Sequence, residues 1–379
     1  MKRALLKIAA GLLRAAYLPI RPRRVRDRIS IISRQGDRES LDISMLRREL
    51  EKNHPEFEVV VMTKTLKPGI AGKFSYIFHL LEQMKAIASS KAVLVDGYCI
   101  SVSVLKHKKE TVFIQMWHAL AAVKKFGFQT VGKFSGSDPD TAEIMCMHRN
   151  YHHVLCAGKR SVPYFCEGFN ISEDRIEMMG LPRIDYIKEP LEGQEAEKIR
   201  ERLRIGRGRK SVLYAPTFRK GRTVKLEELA DAAERAEINL VVKLHPLDSA
   251  ALPPMLAAKA SAAEGISTYD LMKCCDAIVT DYSALDVEGL LAEKPMYFYT
   301  YDIEEYRKDP GLNIDIEEEL KKYTFRDPEE LMNEIKKPYD FSGLNRFREG
   351  FITVETENCT GKLAEYIADL ARSDKKHII

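Results

Sequence analysis

The sequence predicts an α/β protein of two domains, each built around a parallel β-sheet. Its 379 residues exceed the roughly 100–200 residues of one ordinary domain. Short runs rich in β-branched residues alternate with longer helical segments, which is the rhythm of βαβ units with helices on both faces of a sheet. That rhythm stops once, between Pro182 and Gly208, and then resumes, so we expect two such series.

Six strands are predicted in the first series and four in the second. The first-series strands are Ile29–Ser33, Phe57–Met62, Ala92–Asp96, Thr111–Gln115, Val154–Ala157 and Ile176–Met178. The second-series strands are Ser211–Ala215, Asn239–Leu244, Asp276–Thr280 and Met296–Thr300. Helices are predicted at Leu41–Lys52, Ile77–Ser89, Ser161–Phe169, Glu192–Arg204, Leu226–Ala236, Tyr269–Cys274 and Ser283–Ala292.

The break in the rhythm sets the expected domain boundaries. We expect an amino-terminal segment over residues 1–28, a first domain over 29–188 and a second domain over 189–358. A last helix, Cys359–Ser373, is expected to pack back on the first domain.

Composition excludes several classes of protein. A hydrophobic fraction of 45% with 31% charged residues is typical of a globular protein with buried cores. The net charge of +4 comes from residues 1–28, and the remainder is slightly acidic, so no nucleic-acid footprint is expected. The seven cysteines form no CxxC pair and no His/Cys metal spacing, so neither a disulfide framework nor a zinc site is expected. We also expect no cofactor.

The amino-terminal segment is predicted to be an amphipathic helix that lies on a membrane. Six apolar residues share one helical face, namely Leu5, Ile8, Ala9, Leu12, Leu13 and Ala16, and Arg3, Lys7 and Arg14 lie opposite. The apolar run is too short to cross a bilayer. The arginines between Arg21 and Arg28 favour binding to anionic lipid. The alternative is an ordinary surface helix that packs on its own domain.

Trp117 and His118 follow directly after a predicted strand. Open α/β sheets bind ligands at the carboxyl ends of their strands, so this position favours a functional role. Histidine is the natural general base for a hydroxyl near neutral pH. The alternative is a packed core histidine beside a packed tryptophan.

Two strand ends in the second series carry groups that suit a phosphate. Thr217 follows Pro216 at a turn, although a plain turn explains this segment equally well. Lys243 and His245 point to the same side of their strand, and Pro246 disfavours its continuation. A His-Pro pair is also common in ordinary loops.

A fourth strand ends at Asp281 and is followed by a predicted helix that Ser283 would cap. The free N–H groups of such a helix bind anions such as a pyrophosphate. Glu288 lies on the same helix and could accept hydrogen bonds from ribose hydroxyls. Simple helix capping is the alternative.

Taken in order, these segments resemble one family. The matching stretches are Trp117-His118, Lys124-Lys125-Phe126-Gly127, Gly180-Leu181-Pro182-Arg183-Ile184-Asp185, Tyr214-Ala215-Pro216-Thr217-Phe218-Arg219, Lys243-Leu244-His245-Pro246, Thr280-Asp281-Tyr282-Ser283 and Tyr299 to Tyr306. They lie within residues 110–310 in the order and approximate spacing of the CDP-glycerol glycerophosphotransferases, the teichoic acid primases and polymerases. The chain departs from the family pattern at Ala119-Leu120-Ala121, at Ala284 and at Glu288.

The resemblance implies a GT-B-like fold of two facing Rossmann-like domains, with the acceptor side first and the CDP donor site second. It implies a peripheral enzyme on the cytoplasmic face of the cell membrane. The implied reaction moves glycerol phosphate from CDP-glycerol to a hydroxyl of an undecaprenyl-diphosphate-linked saccharide, with release of CMP, in teichoic acid synthesis. Because only a short helix precedes the first sheet, we expect a primase that adds the first unit.

The resemblance also implies the site residues. The catalytic residues would be His118, as general base, and His245. The substrate contacts would be Trp117, Ala119, Leu120, Ala121, Ala122, Arg183, Pro216, Thr217, Lys243, Leu244, Asp281, Ser283, Ala284 and Glu288. Open alternatives are a ribitol-phosphate transferase or a chain-extending polymerase of the same family, a nucleotide-sugar glycosyltransferase of the same architecture, and a non-catalytic membrane scaffold.

Overall fold

The computed structural model describes residues 1–206, 208–217, 225–244, 262–283 and 285–373. The chain divides into two compact units. Unit 1 comprises residues 1–120, 125–185 and 352–379, and unit 2 comprises residues 121–124 and 186–351. Each unit contains one parallel sheet, as the sequence predicts.

Unit 1 is built on a six-stranded sheet. Its strands are β1 (Arg28–Ser33), β2 (Glu58–Thr63), β3 (Ala92–Val95), β4 (Val112–Gln115), β5 (His153–Cys156) and β6 (Ile176–Met178), in the spatial order β2-β1-β3-β4-β5-β6. Its helices before residue 186 are α1 (Lys2–Tyr17), α2 (Leu41–Asn53), α3 (Gly69–Ser89), α4 (Ile100–Ser103), α5 (Pro139–Ile144), α6 (Val162–Phe169) and α7 (Arg183–Lys188), the last of which runs on into unit 2. The chain order reverses between β1 and β3, which makes this the switch point of the sheet.

Unit 2 is built on a five-stranded sheet. Its strands are β7 (Ser211–Tyr214), β8 (Asn239–Val242), β9 (Ala277–Thr280), β10 (Met296–Tyr299) and β11 (Thr324–Phe325), in the order β11-β10-β9-β7-β8. Its helices in the described part of the chain are α8 (Gly193–Leu203), α9 (Leu226–Arg235), α10 (Thr268–Cys274), α11 (Leu285–Leu291), α12 (Ile303–Lys308), α13 (Ile316–Glu319), α14 (Pro328–Ile335) and α15 (Ser342–Phe351). Here the switch point lies between β7 and β9.

The carboxyl-terminal helix α16 (Cys359–Arg372) returns to unit 1 and packs on α2. The carboxylate of Asp185 holds its first turn by accepting hydrogen bonds from the backbone N–H groups of Cys359 (2.8 Å) and Thr360 (2.7 Å). A side chain at Gly180 would collide with Sγ of Cys359, because its Cβ would lie 2.6 Å away. The segment around Arg183 therefore carries the attachment of the last helix.

Helix α1 packs along unit 1 while leaving part of its apolar face in solvent. Ala10 and Tyr17 are buried against Met84 and Leu105, and Lys2 forms an ion pair with Asp138. Along the opposite edge of the apolar face, Leu5 is 60% exposed, Ile8 is 59% exposed and Leu12 is 66% exposed. No helix in the described part of the chain is long and apolar enough to cross a membrane.

Candidate active site

The chain leaves β4 through a tightly held turn at Trp117. Trp117 has φ +59°, a left-handed conformation that a bulky residue rarely adopts. Its backbone N–H donates to Oε1 of the buried Gln115 at 2.9 Å, and the Gln115 amide donates to the carbonyl of Gly97 at 3.1 Å. The Trp117 ring lies against the His118 ring, with centroids 4.0 Å apart. This turn therefore fixes where the His118 ring lies.

One hydrogen bond sets the tautomer of His118. Its Nδ1 lies 2.8 Å from the carbonyl oxygen of Asp96. Because a carbonyl oxygen only accepts, Nδ1 carries the hydrogen and Nε2 carries the lone pair of the neutral ring. Nε2 of Gln35 lies 3.1 Å from the same nitrogen. Because Nδ1 already carries a hydrogen, Gln35 bonds to it only when its side-chain amide is flipped so that the oxygen faces the ring.

The switch point of the unit 1 sheet lies directly beside this histidine. Ser33 ends β1, and its hydroxyl donates to Oδ2 of Asp96 at 2.6 Å, just past the end of β3. Asp96 is 4% exposed, and burial raises the pKa of its carboxyl group to about 6. Ser33 and Asp96 thus join β1 to β3 at the edge where α/β sheets bind ligands.

Arg183 is buried in unit 1 and bonded to a carboxylate. Its Nε donates to Oδ2 of Asp42 at 2.8 Å, its Nη2 bonds to the same oxygen, and its backbone N–H donates to Oδ1 at 2.8 Å. Its Nη1 donates to the carbonyl oxygen of His118 at 3.1 Å. Arg183, predicted as a substrate contact, is thus buried and bonded to Asp42 and to the main chain of His118.

Unit 2 has a buried aspartate at its own switch point. The backbone N–H of Thr217, just past β7, donates to Oδ1 and Oδ2 of Asp281 at 2.9 and 3.0 Å. Asp281 follows β9 and is fully buried, and it also accepts from the N–H of Tyr282 at 2.6 Å. Asp281 thus fixes the Pro216-Thr217 turn, which is buried as well.

Lys243 and Leu244 follow β8, which lies next to β7. The Lys243 ammonium is half-buried and donates to the carbonyl of Ala263 at 3.1 Å. Burial lowers its pKa. The ends of three adjacent strands therefore bring Thr217, Lys243 and Asp281 to one edge of the sheet.

Two further predicted contacts lie on or before α11. Oγ of Ser283 accepts from the N–H of Leu285, the first residue of this helix, at 3.3 Å. Glu288 is 4% exposed, and its carboxylate accepts a hydrogen bond from the hydroxyl of Tyr269 at 3.1 Å. Two predicted residues, His245 and Ala284, lie outside the described residues.

The segment after His118 divides between the two units. Ala119 and Leu120 belong to unit 1, and Ala121 and Ala122 to unit 2. The carbonyl of Ala122 accepts from the side-chain amide of Asn313 at 3.0 Å.

The sequence pattern missed Asp96, Asp42 and Gln35. Asp96 ends a predicted strand, so the strand-end rule applied to β3 would have found it. Asp42 and Gln35 carry no comparable signal, because their roles depend on long-range packing. Among the described residues, no group of three or more His, Cys, Asp or Glu side chains is arranged to hold a metal ion.

Solved structures with this fold are known. The wall teichoic acid polymerase TagF superposes with a TM-score of 0.75 at 20% identity, covering 98% of this chain and 97% of that one. The two sheets thus belong to a GT-B-like α/β fold.

Sequence comparison adds relatives with assigned names. A teichoic acid ribitol-phosphate primase of Bacillus spizizenii is 29% identical across 98% of this chain and 99% of its own length. A teichoic acid glycerol-phosphate primase of Bacillus subtilis is also 29% identical, across 77% of each chain. Residues 17–369 match the profile of the family described as CDP-glycerol:poly(glycerophosphate) glycerophosphotransferase. The chain therefore belongs to this family, whose members are phosphotransferases that use CDP-alcohols.

Proposed function

We propose that the protein transfers glycerol phosphate from CDP-glycerol to a hydroxyl of a lipid-linked saccharide in wall teichoic acid synthesis, as a primase that adds the first unit. Both relatives at 29% identity are named primases, which supports this choice over a polymerase. One of them is named for ribitol phosphate, so CDP-ribitol is the second candidate donor.

The observation that carries the proposal is the hydrogen bond from Nδ1 of His118 to Asp96. It leaves the lone pair on Nε2, so His118 can take the proton of the acceptor hydroxyl as that oxygen attacks the β-phosphorus. The bond between the β-phosphorus and the bridging oxygen then breaks, and CMP leaves with that oxygen. The proton remains on His118 until solvent removes it.

The donor is assigned to the strand ends of unit 2. Transfer of a phosphoryl group depends mainly on placement and on stabilisation of charge. Lys243 supplies a cation there, and the Thr217 turn is held in place by Asp281. His245 and the Ser283-Ala284 pair are proposed to complete the pyrophosphate contacts, and Glu288 the ribose contact.

We assign an anionic membrane surface as the partner of α1. Leu5, Ile8 and Leu12 are exposed although apolar, and an interface helix presents such an edge to lipid. Helix α3 adds Phe74 and Phe78, which are also more than half exposed. The exposed residues Arg23, Arg24 and Arg26 follow α1 and favour anionic headgroups. This placement puts the enzyme on the surface that carries its acceptor.

The test is CMP release by the purified full chain with CDP-glycerol, CDP-ribitol and a UDP-sugar, each with a lipid-linked N-acetylmannosaminyl-N-acetylglucosamine acceptor. The mass of the product identifies the group transferred and the number of units added. We expect CMP release with CDP-glycerol and a product with one added unit. Release only with CDP-ribitol would change the donor, a long chain would indicate a polymerase, and release of UDP alone would favour a glycosyltransferase. No turnover with any donor would favour a scaffold.

A further inference from the structure

We propose that Asp42 is a positioning residue for the reaction: it holds Arg183, and Arg183 in turn holds the main chain at His118. The inference rests on the proposed function, because it concerns the group assigned there as the general base. Asp42 itself touches no reacting atom.

The geometry around Asp42 carries the inference. Asp42 lies in the first turn of α2 and is 2% exposed. Both of its carboxylate oxygens bond to Arg183, one to the backbone N–H and the other to Nε and Nη2. A planar guanidinium held on one side in this way has a fixed orientation.

Another amino group of the same guanidinium, Nη1, reaches the main chain at His118. Nη1 of Arg183 donates to the carbonyl oxygen of His118 at 3.1 Å. This bond holds the carbonyl oxygen of His118 in place. The preceding residue, Trp117, is held by the hydrogen bond from its backbone N–H to Oε1 of Gln115. The ring bonds through Nδ1 to the carbonyl oxygen of Asp96, and this bond forms only while the His118 main chain stays in place.

A buried arginine whose charge is matched by a buried carboxylate can place a backbone carbonyl without an unpaired charge. Loss of the Asp42 carboxylate would remove the bonds to Nε and Nη2 that orient the guanidinium, and the donor to the His118 carbonyl would be held less firmly. Catalysis depends steeply on such placement, since a displacement of about 1 Å can reduce the rate by about 10²-fold. Asp42 should therefore act on turnover and not on donor affinity.

The experiment compares wild type with Asp42→Asn and Arg183→Lys in the CMP-release assay. Asp42→Asn keeps the size of the side chain but removes its negative charge. Arg183→Lys keeps the positive charge but removes the planar guanidinium with its several N–H donors. We expect each to lower kcat by about 10²-fold, with the KM for the CDP-alcohol changed less than about threefold. The matched control is Glu58→Gln, which breaks the two-pronged pair of Arg28 and Glu58 in the same unit, at the amino end of β1. Its kcat should stay within about twofold.

A double-mutant cycle separates positioning from a purely structural role. In a His118→Asn background, Asp42→Asn should reduce the residual turnover by less than about twofold, because the group that it positions is absent. An equally large loss in both backgrounds would overturn the proposal. So would wild-type kcat in both single variants, or a rise in KM that accounts for the whole loss. If both variants are unfolded at the assay temperature, the pair is a stability element and the proposal is withdrawn.

A second measurement does not depend on turnover. The nine histidines can be labelled with ¹⁵N, and the His118 signals assigned by their loss in His118→Asn. We expect the Nδ1–H tautomer in wild type and a mixture of tautomers in Asp42→Asn. If wild type releases no CMP, the proposed function fails, and an unchanged tautomer in Asp42→Asn then decides against the positioning role independently.

Discussion

Asp96 bonds to His118 through its main-chain carbonyl and to strand β1 through its side-chain carboxylate. Its carbonyl oxygen accepts from Nδ1 of His118 at 2.8 Å, while its carboxylate accepts from Ser33 at 2.6 Å. The residue that selects the tautomer of the proposed base is thus bonded to the strand on the other side of the switch point. A shift of β1 relative to β3 would therefore displace Asp96 and change the hydrogen bond that Asp96 accepts from the imidazole ring.

Replacement of His118 by alanine should abolish most turnover with little change in donor affinity. A general base contributes about 10²–10⁴-fold to a rate, so kcat for CMP release should fall by that factor. The KM for the CDP-alcohol should change by less than about threefold. The control is His153→Gln, since His153 lies at the start of β5 and bonds to Glu177 at 3.0 Å. Near-normal turnover of His118→Ala on the true acceptor would refute the assignment of the base.

Asp96→Asn should make the protein more stable above pH 6. Burial raises the pKa of Asp96 from 3.8 to about 6, Asp42 adds to the rise, and Ser33 and Arg183 oppose it. The folded protein therefore binds the proton more tightly than the unfolded chain, and the free energy of unfolding falls as pH rises through this range. The neutral variant avoids that loss, which is at most about 3 kcal/mol at 1.36 kcal/mol per pKa unit.

Urea unfolding at several pH values between about 4 and 8 measures this difference. The two proteins should be nearly equal at the acidic end and should separate as pH rises. Asp174→Asn, at an exposed position of the same unit, is the matched control and should run parallel to wild type. A constant difference between Asp96→Asn and wild type at all pH values would contradict the prediction.

The triple variant Leu5→Ser, Ile8→Ser, Leu12→Ser should lose most of its affinity for anionic vesicles. Each side chain contributes about 1.5–3 kcal/mol when fully buried in an apolar phase, so three partly buried ones should change binding by more than about tenfold. The fold should survive, because these residues face away from the core that Ala10 and Tyr17 enter. Co-sedimentation with vesicles of phosphatidylglycerol and phosphatidylcholine checks this, with Phe341→Ser in unit 2 as control. If the triple variant and wild type bind vesicles equally well, the apolar edge of α1 does not mediate membrane binding.

Asp185→Ala should loosen the attachment of α16. The carboxylate accepts from two backbone N–H groups of the first turn and from the Thr360 hydroxyl at 2.6 Å. Loss of a helix cap costs about 0.5–2 kcal/mol, and we expect the upper part of that range here. Urea unfolding and hydrogen exchange of α16 amides measure the change. Asp327→Ala, which removes a single capping bond to Glu330 at 2.9 Å, should cost less, and the opposite order would refute the prediction.

Strand positions followed from the sequence closely. The ten predicted strands lie within two residues of the observed ones, because most of them are short apolar runs that are buried along nearly their whole length. The two-residue β11 was not predicted, since it is too short to carry a pattern. Helix α3 begins at Gly69 and not at Ile77, because its glycine-containing first turns resemble a loop.

The candidate site was predictable only where it depends on strand ends. That rule located Trp117-His118, Thr217, Lys243 and Asp281, and the structure shows the last three at one sheet edge. It did not show that Arg183 faces Asp42, 141 residues away along the chain. Such a pair depends on how α2 and α7 pack, and no local periodicity encodes it.

The return of α16 to unit 1 has a consequence for biosynthesis. Residues 186–351 of unit 2 leave the ribosome before the helix that packs on α2 has been made. Unit 1 is therefore translated first but completed last, because the apolar face that α16 covers stays open until residue 372 has been translated. A premature stop near residue 352 would spare residues 186–351 of unit 2 and leave unit 1 open to chaperones and proteases.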